Sequence, residues 1–187
     1  MKVLKSAVLS AAALTTTLAT TMVLLPAVGH AQSSNPITAA LKASLQRSSH
    51  IMAAAAEQMP ADKYSFKPTA GSRTFGGLVL HIGNANRAAC HWLTGAPAAP
   101  KNDLTPSSPK AQLVASLKSS FDYCDGALGN FNDSKLSDRV PFFGGRTLSV
   151  AASVLLLTDD WADHYSQEAA YLRANGMLPP TAHHGQP

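Results

Sequence analysis

Asp160 and His164 stand four residues apart in the C-terminal part of a 187-residue chain. On a helix, about 100° per residue leaves them only about 40° apart around the axis, so both project from one face, close enough to share one ion. Asp159, five residues before His164, lies about 140° away and is the poorer partner by the same arithmetic. Gln167 and Tyr171 continue the Asp160/His164 stripe. That stripe follows Leu156 toward the interior, where a carboxylate is costly unless a cation compensates it. His81, between Leu78 and Ala85 beside a second apolar stripe, is placed to supply a third ligand. Two imidazoles and one carboxylate make a three-ligand site with open positions, the kind that catalytic zinc or non-haem iron requires. Spacing alone leaves two commoner alternatives open: a surface His–Asp pair, and a hydrogen-bonded core histidine.

Four helical patterns are expected to position these residues. The first opens at Asn35-Pro36, a cap residue followed by proline at the first helical position. Ile37, Leu41, Leu45, Met52 and Met59 then recur at steps of three and four or their multiples, until Pro60 stops the pattern. The second opens at Thr74 and runs to Thr94, with Phe75, Leu78, Ile82, Ala85, Ala89 and Trp92 as one buried stripe and Gly95 as its stop. Its Gly76-Gly77 pair predicts a loose first turn. The third begins at Ser108-Pro109 and carries Leu113, Leu117, Phe121, Cys124 and Leu128 on its apolar face. An irregular crossing over 129–146 is long for a connection between helices and is expected to cover one end of the core or to shape a pocket. The fourth pattern runs from about Thr147 to Asn175, ending at Gly176 with Pro179-Pro180 beyond it. Four amphipathic helices and no alternating strands predict an all-α fold, a four-helix bundle with long inter-helix connectors.

Composition bounds the rest. The length suits one domain, and an apolar share of 45% with 14% charge suits a globular one. Aromatic residues are only 6%, so the core is expected to be built chiefly from Ala and Leu. Residues 1–31 read as a cleaved export signal. Lys2 and Lys5 precede an Ala-, Leu-, Val- and Thr-rich stretch, Pro26 breaks it, and Gly29-His30-Ala31 offers small residues for cleavage. An uncleaved membrane anchor is the alternative, but Ser10 and the threonines of that stretch dilute it. Cleavage after Ala31 leaves a single domain over 32–187, exported to the periplasm or the extracellular space and free of the membrane. The formal charge of +4 loses two lysines with the signal and becomes +2, with no basic run, so nucleic acid is excluded as a partner. Two cysteines cannot build a disulfide-rich scaffold or a four-thiolate zinc site, but export permits a Cys90–Cys124 disulfide. Two separately buried thiols are the alternative.

Several short words recur in a recognisable order: Met59-Pro60, Tyr64-Ser65-Phe66-Lys67-Pro68-Thr69, and Arg73-Thr74-Phe75-Gly76-Gly77-Leu78 leading to His81-Ile82. Asp163-His164-Tyr165-Ser166-Gln167 and the run from Tyr171-Leu172-Arg173 to Pro179-Pro180 close the series. In order and spacing the chain resembles the DinB-like (YfiT-like) family of metalloenzymes built on a four-helix bundle, over roughly Ile37 to Pro180. The resemblance implies a divalent metal held by one His on the second helix and a His-x-x-x-His pair on the fourth. Here those positions read His81, Asp160 and His164. Asp160 departs from the three-His set, which implies either a harder, carboxylate-richer site or a weakened one. Some relatives transfer low-molecular-weight thiols that are chiefly cytosolic, and the export signal argues against that substrate here.

Other candidates resolve more simply. Cys90-His91 point about 100° apart on a helix and lack the first Cys of a haem-attachment motif, as the stretch reads Arg87-Ala88-Ala89-Cys90-His91. His183-His184 belongs to the C-terminal tail, and His50 to an exposed side of the first helix. The expectation is an exported, divalent-metal-dependent hydrolase or transferase acting on a small molecule. The cofactor is Zn, Ni, Mn or Fe, with His81, Asp160 and His164 as ligands and Gln167 and Tyr171 as positioning groups. Its rival is a non-catalytic bundle, monomeric or homodimeric, that binds a metal or small ligand.

Overall fold

The computed structural model describes residues 34–184, so the expected signal over 1–31 lies outside the described residues. The described chain is mostly helical: α1 (Pro36–Gln58), α2 (Phe75–Thr94), α3 (Lys110–Ala127) and α4 (Val150–Ala174), with a small two-stranded sheet, β1 (Arg139–Phe142) and β2 (Arg146–Ser149), before α4. Helix α2 packs on α3 and α4, and α1 packs on the same two partners, so each helix has two helical neighbours around a common core. Among the described residues no helix is long and apolar enough to cross a membrane.

The buried face of each helix follows its periodicity. Leu41, Leu45 and Met52 of α1, Leu78 and Ile82 of α2, Leu113, Leu117 and Phe121 of α3, and Leu157 and Trp161 of α4 are almost fully enclosed. Trp161 Nε1 donates to Asn86 Oδ1 at 2.8 Å, and Asn86 Nδ2 donates to Ser120 Oγ at 3.0 Å, so the polar atoms that join α4, α2 and α3 are mutually satisfied. A Cys90–Cys124 disulfide ties α2 to α3 beside this chain of hydrogen bonds.

Several expectations are corrected. The crossing is not irregular throughout: β1 and β2 pair antiparallel, with Val140 opposite Leu148 and Phe142 opposite Arg146. The turn is made by Gly144 and Gly145, both at positive φ (73° and 70°), a region open to glycine at no steric cost. Residues Thr147 to Ser149 therefore belong to β2, and α4 starts at Val150 with Ser149 as its cap. Asn35 does not cap α1 with its side chain; Asp133, far along the chain, accepts from the Ile37 and Thr38 amides instead.

The start of α2 is tight rather than loose. A Cβ at Gly76 would meet the Pro106 carbonyl oxygen at 2.6 Å, and Gly76 N donates to the Tyr64 carbonyl at 2.9 Å. Glycine is needed there because two loops crowd the first turn. Finally, Ile37 is exposed, and Trp92 is only partly buried, packing edge-on against Phe143 of the hairpin turn at 5.0 Å between centroids. The hairpin thereby lies on the outer side of α2 next to α4.

Candidate functional site

Helices α2 and α4 bring His81 and His164 together: their ring centroids are 5.0 Å apart and the planes meet at 75°. Asp160 stands one turn before His164 on α4, with Oδ2 3.2 Å from His164 Nδ1. His164 is 5% exposed, and its Nδ1 has no hydrogen-bond partner although the Asp160 carboxylate lies 3.2 Å away. Asp160 is not interior as the stripe implied: its side chain is 35% exposed, whereas His164 is enclosed. Among the described residues no group of three or more His, Cys, Asp or Glu side chains stands ready to hold a metal ion. The donors that do meet are Asp160 and His164, with the His81 ring against the latter.

Burial lowers the pKa of His81, the Arg73 and His164 charges lower it further, and Asp160 opposes them. His81 is therefore held as neutral imidazole near neutral pH, the form that ligates a metal or accepts a proton.

A cavity of about 490 Å³ opens beside His81 and Asp160. Its far wall comes from the hairpin, through Phe142, Phe143 and Arg146, and Asp159 and Asp163 stand with Asp160 along the α4 side. Arg146 is fixed in place: its Nε donates to the Phe143 carbonyl at 3.1 Å, and its guanidinium lies 5.4 Å from the Phe142 ring centroid. The long crossing thus shapes a pocket, as its length suggested. Asp159, the poorer partner of His164, is nonetheless a wall of that pocket.

The two residues expected to position a substrate make other contacts. Gln167 is exposed, and its amide donates to Asp163 Oδ2 at 2.7 Å. Tyr171 is buried and donates to the Arg73 carbonyl at 2.7 Å, with its ring against Phe66 and Phe75. Cys90 is bonded to Cys124, His91 bonds the Ala96 carbonyl, and His50 is exposed. His183 and His184 close a short 3₁₀ turn, Pro180–His184.

Sequence reasoning passed over Glu168, which is 0% exposed, with neither carboxylate oxygen bonded. Burial raises its pKa well above the ordinary value. Glu168 lies four residues after His164, so the same arithmetic that paired Asp160 with His164 also puts it on their stripe. Arg146 escaped notice because its role depends on the hairpin.

The DinB superfamily profile matches residues 44–167, more than half of the chain. The chain belongs to the DinB superfamily. Two solved structures resemble this DinB-superfamily chain. One is a DinB-like protein (YjoA) from Bacillus subtilis, with a TM-score of 0.62 and 18% identity over 78% of this chain and 96% of that one. The other is a DinB-like protein from Bacillus cereus, with a TM-score of 0.62 and 17% identity over 75% of this chain and 93% of that one. At these identities the likeness is one of fold. No curated protein matches the chain.

Proposed function

We propose that this DinB-superfamily chain is an exported four-helix-bundle protein that holds a divalent metal ion with His81, Asp160 and His164. In this reading it uses the ion in hydrolysis or group transfer on a small molecule in the adjoining cavity. The observation that carries the reading is the buried, unpartnered Nδ1 of His164 facing Asp160 Oδ2 at 3.2 Å. A buried ring nitrogen without a partner is costly, and a cation between the two groups would satisfy both. The donor set fits the ion: the lowered pKa of His81 keeps it neutral, and Asp160 contributes the charge.

A bound divalent ion would lower the pKa of a water or a thiol in its open position, making a nucleophile near neutral pH. The chain's own residues do the rest. Phe142 and Phe143 exclude water from one wall of the cavity, and Arg146, held over Phe142, sets a fixed positive charge at its rim. The Cys90–Cys124 disulfide supports export, since such bonds persist in oxidising compartments.

Metal analysis of the purified chain after growth with Zn, Ni, Mn and Fe tests the reading. One ion per chain, lost in His81→Ala and in His164→Ala, is expected, together with turnover on an ester, amide or thiol-transfer panel. Protein that is metal-free under all four supplements would sink the reading, and bound metal without turnover would leave a non-catalytic binder.

A further inference from the structure

The cavity beside His81 carries two carboxylates beyond the proposed ligand set, Asp159 and Asp163. Three carboxylates, Asp159, Asp160 and Asp163, line it against a single cation, Arg146. Asp159 and Asp163 are one helical turn apart, and Asp160 and Asp163 three residues apart, so like charges share one face of α4 without mutual relief. Asp163 has only the Gln167 amide as a partner, and Asp159 has neither an ion pair nor a hydrogen bond among the described residues. Arg146 does not neutralise them, being turned to the Phe143 carbonyl and the Phe142 ring. Behind Asp160, the enclosed His164 Nδ1 has no hydrogen-bond partner. The opposite wall is aromatic, and an aromatic face beside carboxylates suits a cation carried on an apolar body. The volume, about 490 Å³, is that of a small-molecule site.

We infer that this cavity binds a small organic cation, an ammonium or guanidinium on an apolar body, with Asp159 and Asp163 recognising the charge and Phe142 and Phe143 the body. The inference names the substrate class of the proposed function and rests on that reading for catalysis. Binding itself needs no metal and can be tested without it.

The test is calorimetric binding to the purified, metal-stripped chain of four probes sharing a phenyl body: 2-phenylethylammonium, 2-phenylethylguanidinium, neutral 2-phenylethanol and anionic 3-phenylpropionate. At least one of the two cations is expected to bind about tenfold or more tighter than the alcohol, and the carboxylate weakest. The ranking of the two cations tells amine from guanidine recognition. The preference is expected to shrink with added salt. It should vanish in Asp159→Asn combined with Asp163→Asn, whose exposed positions carry no core packing. Arg146→Gln, which removes the opposing charge, is expected to tighten cation binding several-fold. Equal affinity for cations and alcohol, tighter binding of the carboxylate, no binding of any probe, or an unchanged preference in the double Asn variant would each overturn the inference. Metal content of the parent chain separates the two readings: a parent that takes up no metal yet prefers the cations ends the metal reading alone, whereas a parent that binds metal and loses it in His164→Ala, yet shows no cation preference, ends this inference alone.

Discussion

His164 Nδ1 and Asp160 Oδ2 lie 3.2 Å apart across one turn of α4, yet no hydrogen bond joins them. An imidazole and a carboxylate at that distance would ordinarily bond, and without that bond the buried Nδ1 has no partner. If a divalent ion lies between the two groups, replacing the carboxylate by a third imidazole should suit zinc better. Asp160→His is expected to bind Zn(II) about tenfold tighter than the parent chain, and Asp160→Ala more weakly, by competition with a chelating dye. Identical affinities for all three chains would remove Asp160 from the ligand set.

Glu168 predicts an unusual pH dependence of stability. Burial raises its pKa above the ordinary 4.5, so the folded state holds a proton that the unfolded chain releases. Its favourable contribution is therefore fully present below the unfolded value and is lost as pH rises through the folded one. Thermal melts of the metal-free chain from about pH 4 upward should show this loss, and Glu168→Gln, which cannot ionise, should flatten it and raise Tm at neutral pH. Glu168→Leu should act in the same direction, since it leaves no polar atom without a partner. A lower Tm in both variants at neutral pH would mean that the carboxyl has a partner in solution.

Asp133 holds the first turn of α1 from a distance. Its carboxylate accepts from Ile37 N at 3.0 Å, Thr38 N at 2.8 Å and Thr38 Oγ1 at 2.6 Å. Partial desolvation pushes its carboxyl up, but these bonds outweigh that and hold its pKa below the ordinary 3.8. The stabilisation is thus present above the unfolded pKa and is lost as pH falls through the lowered folded one. Asp133→Ala should speed hydrogen exchange at Thr38, and the parent chain should approach the variant in acid. Unchanged exchange in the variant would show that α1 holds its first turn without Asp133.

Much of this architecture was legible because helix burial is periodic. Leu113, Leu117 and Phe121 had to face inward together, and His81 and His164 follow from stripes of the same kind. What escaped was set by tertiary contacts that local patterns do not encode. The strand at Val140 and Phe142 exists because its partner lies across the Gly144-Gly145 turn, and Pro141 within it had masked the alternation. Gly76 looked like a weak helix former, whereas its reason is the Pro106 carbonyl 2.6 Å from where a Cβ would sit. Glu168 was readable by spacing from His164, but an isolated glutamate on an Ala-rich helix gives no sign that it is fully enclosed.

The Cys90–Cys124 bond closes a 34-residue separation between α2 and α3, with both cysteines fully buried. Cross-linking a loop of that length restricts the unfolded chain and stabilises by about 3–4 kcal/mol. Cys90→Ala combined with Cys124→Ala should lower the urea-unfolding free energy by about that amount, and reduction of the parent chain should reproduce most of the loss. The same bond reports on export. Protein recovered from an oxidising compartment should show no free thiol after denaturation, and protein retained in a reducing cytoplasm should show both. Equal unfolding energies for the oxidised parent and the double variant would mean that the contacts joining α2, α3 and α4 through Asn86, Ser120 and Trp161 hold the helices without the bridge.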